Sequence, residues 1–266
     1  MEEKFQYKGC VFTSSWDDAH KLDLKLVKVL QRYDAKGTFY IPIRLFSESL
    51  SEDEIVDISR SFEIGSHSLT HAILTKIPVE KVEEEIARPK KILEKITGTE
   101  VQGFCYPQGR YNERIVKAVQ RAGYVYARTV ETFRIGTSAP FRMGTTIQVY
   151  PFNWKWWVRN MLNSSNVCGG HSTLLRLLGL KIHPIEVELN SWKSLAKMLF
   201  DHVYGNRGIF HLWGHSWEIE KFGMWKELEE VLDYISRKKP QYLTNSEVVS
   251  HAQQEILRGT CWPVSR

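Results

Sequence analysis

The sequence has few cysteines, and they are too widely spaced to share a site. The four cysteines of the 266-residue chain are Cys10, Cys105, Cys168 and Cys261, and no Cys-x-x-Cys pair occurs among them. This spacing indicates neither a zinc site built from cysteines nor a disulfide framework. We expect all four thiols to be reduced.

Long apolar runs and concentrated charge are also missing. No stretch reaches the length of about eighteen apolar residues that a transmembrane helix needs, and the polar residues 1–4 do not begin a signal region. We therefore expect a cytoplasmic protein without a transmembrane segment. The net charge of +5 is spread among acidic residues instead of forming a basic tract, so nucleic acid is not an expected partner.

The chain does contain a regular alternation of apolar strands and amphipathic helices. Helical periodicity, with a capping box of Ser51 and Glu54, predicts helices over 22–33, 51–58, 78–97, 112–122, 189–204, 225–235 and 246–257. Short apolar runs between them predict strands over 11–16, 37–41, 62–66, 101–106, 124–128, 145–150, 208–215 and 242–244.

Repeated strand–helix units favour a parallel sheet with helices outside it. We predict an α/β fold in a single domain over residues 1–266, and such units can close into a barrel. The pattern loosens around 129–207, which we interpret as an irregular insertion. In such barrels functional residues gather at the carboxyl ends of the strands.

Two adjacent carboxylates, Asp17 and Asp18, follow the first predicted strand. Successive residues of an extended chain point to opposite faces, so one carboxylate could bind a metal while its neighbour faces another part of the pocket. An equally weighted alternative is that they cap the helix that begins near Lys21.

Two histidines, His67 and His71, lie four positions apart after the third predicted strand. At helical spacing they would share one face, and with a distant carboxylate they would supply the three protein ligands of an open divalent metal site. Taken alone, they would more often be surface histidines. They do not form the His-Glu-x-x-His of a zinc protease, because Ser68 stands in place of that glutamate.

The segments Ser15–Ala19 and His67–His71 together resemble the first two motifs of polysaccharide deacetylases, the NodB-homology or carbohydrate esterase family 4 group. The resemblance implies that Asp17 is the general base, and that Asp18 and both histidines bind the metal. It also implies a NodB-like fold, a distorted (β/α) barrel of about seven strands. The glycine that usually follows the carboxylate pair is Ala19 here.

A third family motif, an Arg-x-Pro-Tyr type element, is similar to the segment 104–111, but its leading arginine is missing. Arg110 is a candidate substitute for that arginine. The resemblance implies that residues 106–111 supply a backbone N–H to the oxyanion, and the residues expected to contact substrate are Tyr106, Pro107, Arg110 and Tyr111.

The late strand 208–215 carries His211, Trp213 and His215, which share one face because side chains alternate along a strand. The family's fifth motif ends in Leu-x-His, and its histidine is the general acid. Both histidines are imperfect versions of that motif. We prefer His215, at the carboxyl end of the strand, over His211, which more easily fits a hydrogen-bonded core residue, and we expect Trp213 to contact substrate.

The resemblance implies a metal-dependent hydrolase that removes an N-acetyl group from an amino sugar or a glycan precursor, with a divalent ion, by expectation Zn²⁺, as cofactor. Two alternatives stay open. One is a hydrolase of a non-sugar amide, such as an allantoinase-like enzyme or a deformylase. The other is a non-catalytic carbohydrate-binding protein on the same fold.

A tryptophan-rich cluster, residues 154–157, lies within the irregular region. It is typical of a sugar-binding wall or of peripheral contact with a membrane carrying a lipid-linked precursor, because indole rings favour half-wet positions. The more common explanation is ordinary packing of a helix on the barrel.

Overall fold

The computed structural model describes residues 9–44, 48–136, 139–151 and 191–257, and the strands within them run parallel in one sheet. The strands are β1 (Val11–Asp17), β2 (Thr38–Ile41), β3 (Glu63–Ser66), β4 (Gly103–Cys105), β5 (Tyr126–Arg128), β6 (Ile147–Gln148), β7 (Ile209–Gly214) and β8 (Gln241–Tyr242). Their order is β5-β4-β3-β2-β1-β7-β6, and β8 pairs with the first half of β1.

The segment 143–149 joins the two ends of this sheet. The N–H of Met143 donates to the carbonyl of Ala127 on β5 at 2.9 Å, and the N–H of Thr146 donates to the carbonyl of His211 on β7 at 2.8 Å. The sheet therefore curls round into a barrel. This confirms the predicted distorted (β/α) barrel, with seven strands along the main path and β8 beside β1.

The helices lie between the strands as the sequence predicts. They are α1 (Asp23–Arg32), α2 (Glu52–Ser59), α3 (Val79–Thr97), α4 (Glu113–Arg121), α5 (Trp192–Gly205), α6 (Ser216–Lys221), α7 (Trp225–Ser236) and α8 (Asn245–Leu257). The sequence pattern did not predict the short helix α6. Among the described helices, none combines the length and apolar character that crossing a bilayer would require.

Local signals in the sequence fix several helix ends. The hydroxyl of Ser51 accepts from the N–H of Glu54, whose carboxylate accepts from the N–H of Ser51 at 2.7 Å, so the predicted capping box is present. Asn112 caps α4 by accepting from the N–H of Ile115 at 3.0 Å. Gly98 ends α3 with a φ of 69°, a conformation that glycine adopts at little cost.

The central strand β1 is buried along its whole length, and its residues alternate between two environments. Phe12 and Trp16 belong to the large apolar cluster between the sheet and the helices. Thr13 and Ser15 instead make polar contacts inside the barrel, with Asn245 and a histidine of β7. Asp17 lies two residues after Ser15 and shares its face, so it stands at the carboxyl end of the interior face.

The irregular insertion expected around 129–207 contains β6 and the whole of α5 in its described part. The tryptophan cluster 154–157 lies outside the described residues, as do Cys168 and Cys261. Cys10 and Cys105 are buried free thiols. The single-domain organisation stays a prediction.

Candidate functional site

The chain turns sharply where β1 ends, and this turn brings both carboxylates to the same edge of the barrel. Asp18 and Ala19 have φ angles of 79° and 53°, in the left-handed region that aspartate tolerates better than most residues. Neither carboxylate caps α1, whose N-cap residue is Leu22 and has no side-chain hydrogen bond. The capping alternative is therefore wrong.

His67 and His71 lie in a loop that follows β3, and no helix joins them. The predicted helical conformation of this segment is therefore wrong. Instead, left-handed residues at Ser68 (φ 67°) and at His71 itself (φ 57°) fold the loop back. The two Nε2 atoms nevertheless lie 3.1 Å apart.

Asp18 and the two histidines form a group with the dimensions of a metal site. Asp18 Oδ1 lies 3.8 Å from His67 Nε2 and 3.5 Å from His71 Nε2. Tetrahedral ligands bound at about 2.0–2.1 Å lie about 3.3 Å from one another. Oδ1 of Asp18 is also buried without a hydrogen-bond partner among the described residues, so these three residues fit a divalent ion.

A second trio, Asp17, His67 and Cys105, is also close enough to hold an ion. Arg128 makes this trio the weaker candidate, because its guanidinium already neutralises Asp17 and would repel a second cation. The Asp18 group is therefore the stronger candidate for holding an ion.

His67 is held in the tautomer that a metal ligand needs. Its Nδ1 donates to the backbone carbonyl of Cys105 at 2.9 Å, which leaves Nε2 with a lone pair toward Asp18 and His71. Burial lowers the pKa of His67 below its usual range, although the nearby carboxylate of Asp17 opposes this shift. The imidazole is therefore neutral at pH 7.

Glu85 of α3 anchors the loop between the two histidines. Its carboxylate, on a residue only 8% exposed, accepts from the N–H of Leu69 at 3.1 Å and from the N–H and hydroxyl of Thr70 at 2.9 and 2.7 Å. Its backbone carbonyl also accepts from the N–H of Leu69 at 3.0 Å. That carbonyl has no helical donor, because the residue four positions later is Pro89, which has no N–H.

Asp17 forms a fully buried ion pair with Arg128, whose Nη2 donates to both carboxylate oxygens. Burial alone would raise the pKa of Asp17. The charge of Arg128, together with those of His67 and His215, outweighs burial and lowers the pKa to about 2. Asp17 is therefore ionised at neutral pH, and its Oδ2 lies 3.9 Å from His67 Nε2.

Arg128 supplies a guanidinium beside Asp17, although the leading arginine of the third motif is missing. On neighbouring strands it pairs in register with Cys105, within the degenerate third motif, and its guanidinium lies between the rings of Tyr40 and Trp213 at 5.2 and 4.9 Å. Arg110, the substitute suggested by the sequence, is exposed to solvent. The guanidinium beside the base therefore comes from β5.

His215 lies at the carboxyl end of β7 and faces the carboxylates. Its Nε2 is 3.7 Å from Asp18 Oδ2, and its Nδ1 is 2.6 Å from a carboxylate oxygen of Glu218. Burial by itself would lower the pKa of His215, but the hydrogen bond to Glu218 and the charges of Asp17 and Asp18 raise it overall. A histidine with a raised pKa is well suited to donate a proton.

His211 lies deeper in the barrel and is 1% exposed. Its Nε2 is 2.6 Å from the hydroxyl of Ser15, and its Nδ1 is 3.1 Å from the carbonyl of Gly144. Burial, reinforced by the charge of Arg128, lowers its pKa to about 3. His211 is therefore neutral and engaged in the interior, which leaves His215 as the better candidate acid.

The third-motif residues expected to contact substrate are mostly engaged in packing. Tyr106 is buried, donates to the carbonyl of Phe141 at 3.0 Å, and stacks on Tyr111 with ring centroids 4.8 Å apart. Pro107 is buried in a 3-10 turn. The N–H groups of Tyr106, Gly109 and Arg110 already donate to backbone carbonyls, so an oxyanion donor from this segment would have to be another residue.

Trp213 is 6% exposed and lies against both Arg128 and His215. Its indole ring contacts these two side chains, so it supports Arg128 and His215. A different tryptophan, Trp217 of α6, donates from Nε1 to Asp18 Oδ2 at 3.1 Å. None of Trp217, Arg128, Glu218 and Glu85 was predicted from the sequence. Glu218 lies three residues after His215 and Arg128 ends an apolar strand, and these positions were the local signals of their roles.

Comparison with known proteins places this site in a family context. Residues 8–127 match the family model described as "Polysaccharide deacetylase". A protein of Bacillus subtilis (strain 168), YxkH, which is assigned by name to the polysaccharide deacetylases, is 26% identical over 123 residues. That match covers 45% of this chain and 42% of YxkH, so the chain spans less than half the length of this relative.

Several solved structures match over most of the chain. A protein from Mycobacterium smegmatis that is named as a polysaccharide deacetylase aligns with a TM-score of 0.65 at 13% identity, over 99% of this chain and 96% of that one. A CE4 family pseudoenzyme from Bacillus anthracis aligns with a TM-score of 0.54 at 14% identity, over 91% and 66%. At these identities the likeness shows a shared fold and nothing about chemistry.

Proposed function

Because the chain belongs to the polysaccharide deacetylase family by its residues 8–127, we propose that it is a metal-dependent hydrolase that removes an N-acetyl group from an amino sugar or a glycan precursor. One observation carries the proposal. A three-ligand group, Asp18, His67 and His71, lies between an ionised carboxylate, Asp17, and a histidine of raised pKa, His215.

Asp18 Oδ1, His67 Nε2 and His71 Nε2 would hold the ion, and the nitrogen and carboxylate ligands favour Zn²⁺ among several first-row metals. A bound divalent ion supplies Lewis acidity, because it lowers the pKa of water and polarises an acyl carbonyl. The protein would keep the three ligands in place through the Cys105 carbonyl, Trp217 and Glu85.

Asp17 would act as the general base. Its carboxylate is ionised, lies beside the ligand group and is oriented by Arg128 through both oxygens. A base fixed in this way can accept the proton of an attacking water without first reorganising. Arg128 would be a positioning residue, since it touches Asp17 and is itself fully buried.

His215 would act as the general acid. Its Nδ1–H donates to Glu218, which fixes the ring so that Nε2 faces the site and carries the proton to be transferred. Collapse of the acyl adduct requires a proton on the departing amine nitrogen, and His215 Nε2 would supply it.

The first experiment measures acetate released from N-acetylglucosamine oligomers. We expect release by the zinc-loaded protein, loss of release on chelation and recovery when zinc is returned. Asp17→Asn should keep the ion and lose at least about a hundredfold in turnover, the usual contribution of a positioned base. Asp53→Asn, an exposed carboxylate on α2, is the matched control and should behave as the native protein.

The alternatives give different results in the same assay. Hydrolysis of allantoin or of an N-formyl amide, with no release of acetate from sugars, would identify a non-sugar amidohydrolase. Binding of the oligomers without any release would identify a carbohydrate-binding protein, a relevant outcome because a CE4 pseudoenzyme shares the fold. The cytoplasmic location and the peripheral membrane contact stay predictions.

A further inference from the structure

The helix α6 and the end of strand β6 lie side by side and contact each other at two successive levels. At the inner level, Gln148 Nε2 donates to the carboxylate of Glu218 at 3.1 Å, and the same carboxylate holds His215. At the outer level, the ring of Tyr150 meets the ring of Phe222 edge to face, with centroids 5.1 Å apart. We call Tyr150 and Phe222 the rim pair.

One helical turn separates the two levels on the side of α6. Residues 218 and 222 are four apart on this turn, a distance of about 6 Å, and the N–H of Phe222 donates to the carbonyl of Glu218 at 3.0 Å. Phe222 of the rim pair therefore lies one helical turn beyond Glu218, the residue that orients His215.

The rim pair is unusually exposed for two large aromatic side chains. Tyr150 is 39% exposed and Phe222 is 38% exposed. The described residues contain only two other large hydrophobic side chains as exposed as these, Val79 and Tyr204. Single exposed apolar residues need no explanation, but two that touch each other beside a polar site form a defined surface.

We propose that the rim pair is a binding subsite for a second sugar residue of the substrate, next to the one whose acetamido group is hydrolysed. This inference rests on the proposed deacetylase function and names its substrate as a chain of sugars. An aromatic face offers apolar area to the C–H faces of a sugar ring, and the Tyr150 hydroxyl gives that surface a polar edge. A glycan that reaches His215 can continue outward over the rim pair without leaving the protein surface.

The experiment measures how affinity depends on chain length. Zinc-loaded Asp17→Asn protein is titrated calorimetrically with N-acetylglucosamine oligomers, from the monosaccharide to the pentasaccharide. Affinity should rise with the second sugar. Adding Tyr150→Ala and Phe222→Ala to this protein should reduce that gain in affinity by about tenfold. Tyr150→Phe should keep it. Tyr204→Ala is the control, because Tyr204 is 43% exposed on α5, near the amino end of β7 and away from the site.

The outcomes separate this inference from the proposed function. Equal gain with chain length in the native and rim-pair variants would overturn the subsite, while acetate release by the native protein would leave the deacetylase function standing. No acetate release from any oligomer would overturn the function, and a length-dependent affinity lost with the rim pair would still support a sugar-binding surface. Loss of binding to anionic lipid vesicles in the rim-pair variant, without loss of oligomer affinity, would overturn the subsite in favour of a membrane contact.

Discussion

Arg128 and Asp17, 111 positions apart in the sequence, form an ion pair that solvent does not reach. Arg128 is also the residue directly opposite Cys105 on the neighbouring strand. A site that lacks the arginine of its third motif therefore still has a guanidinium beside the candidate base. The charge comes from the next strand of the barrel.

Arg128→Met should destabilise the protein and impair its base. Removing one partner of a buried pair costs about 3–5 kcal/mol, because the remaining carboxylate stays buried without its cation. The pKa of Asp17, now about 2, should rise, so the acid limb of the kcat/KM profile should move to higher pH. Urea denaturation and the pH profile measure the two effects.

The double variant Asp17→Asn, Arg128→Met should be less destabilised than the sum of the single variants, since the two residues act as a pair. Arg110→Met is the control and should change neither stability nor the acid limb, because Arg110 is exposed. An unchanged acid limb in a folded Arg128→Met protein would show that Arg128 does not set the pKa of Asp17.

His67→Ala and His71→Ala should each lose bound zinc and nearly all activity while the barrel stays folded, because each removes one of three ligands. Elemental analysis after gel filtration, together with circular dichroism, measures both properties. His20→Ala is the matched control, since His20 contacts Glu48 and lies outside the ligand group. Stoichiometric zinc in both ligand variants would reject the assignment.

Glu218→Gln should move the alkaline limb of activity to lower pH. The hydrogen bond and charge of Glu218 raise the pKa of His215, so their loss should lower that pKa. A general acid works only while protonated, and activity should then disappear at a lower pH than in the native protein. Glu220→Gln, an exposed residue of the same helix, should leave the limb in place. If the limb instead responds to His211→Gln, His211 is the acid.

Glu85→Gln should weaken zinc binding about ten- to hundredfold without unfolding the protein, because it removes acceptors that orient the ligands rather than a ligand. The amide NH₂ of glutamine would face N–H donors of Leu69 and Thr70. Competition with a chromophoric chelator measures the affinity. Glu84→Gln, an exposed neighbour paired with Arg88, should bind zinc as tightly as the native protein, and equal affinity in both variants would contradict the role of Glu85.

Features that depend on neighbouring residues could be predicted from the sequence. The capping box of Ser51 and Glu54, the cap at Asn112 and the stop at Gly98 all appear where the pattern predicts them. The alternation of strands and helices predicted a parallel sheet with helices outside it, and the family resemblance implied its closure into a distorted barrel. Asp17 and Asp18 could be found for the same reason, since they end a buried strand.

The histidine loop shows where local reasoning fails. The correct residues, His67 and His71, were identified from their spacing, but the reason was wrong, because the loop is folded by left-handed backbone at Ser68 and His71. A distant residue, Glu85, holds that conformation. Spacing alone does not distinguish one helical turn from a folded loop that brings the same side chains together.

Long-range pairs left almost no trace in the sequence. Arg128 ends an apolar strand, as Asp17 does, and that position was the available hint of its role. Tyr106 and Trp213 are buried and contact other side chains of the barrel, and their expected contact with substrate stays a prediction. Which side chains meet across the barrel depends on strand order and register, and these are properties of the closed sheet.

Pro89 gives α3 an indirect role in the site, because it leaves the carbonyl of Glu85 free to accept from the loop that carries the ligands. A proline inside a helix costs about 3 kcal/mol relative to alanine, so Pro89→Ala would be the usual choice for making α3 more stable. In this chain that change would introduce an N–H that competes with Leu69 for the carbonyl of Glu85. A more regular α3 would therefore loosen the loop that carries His67 and His71, and thermal stability and metal affinity would change in opposite directions.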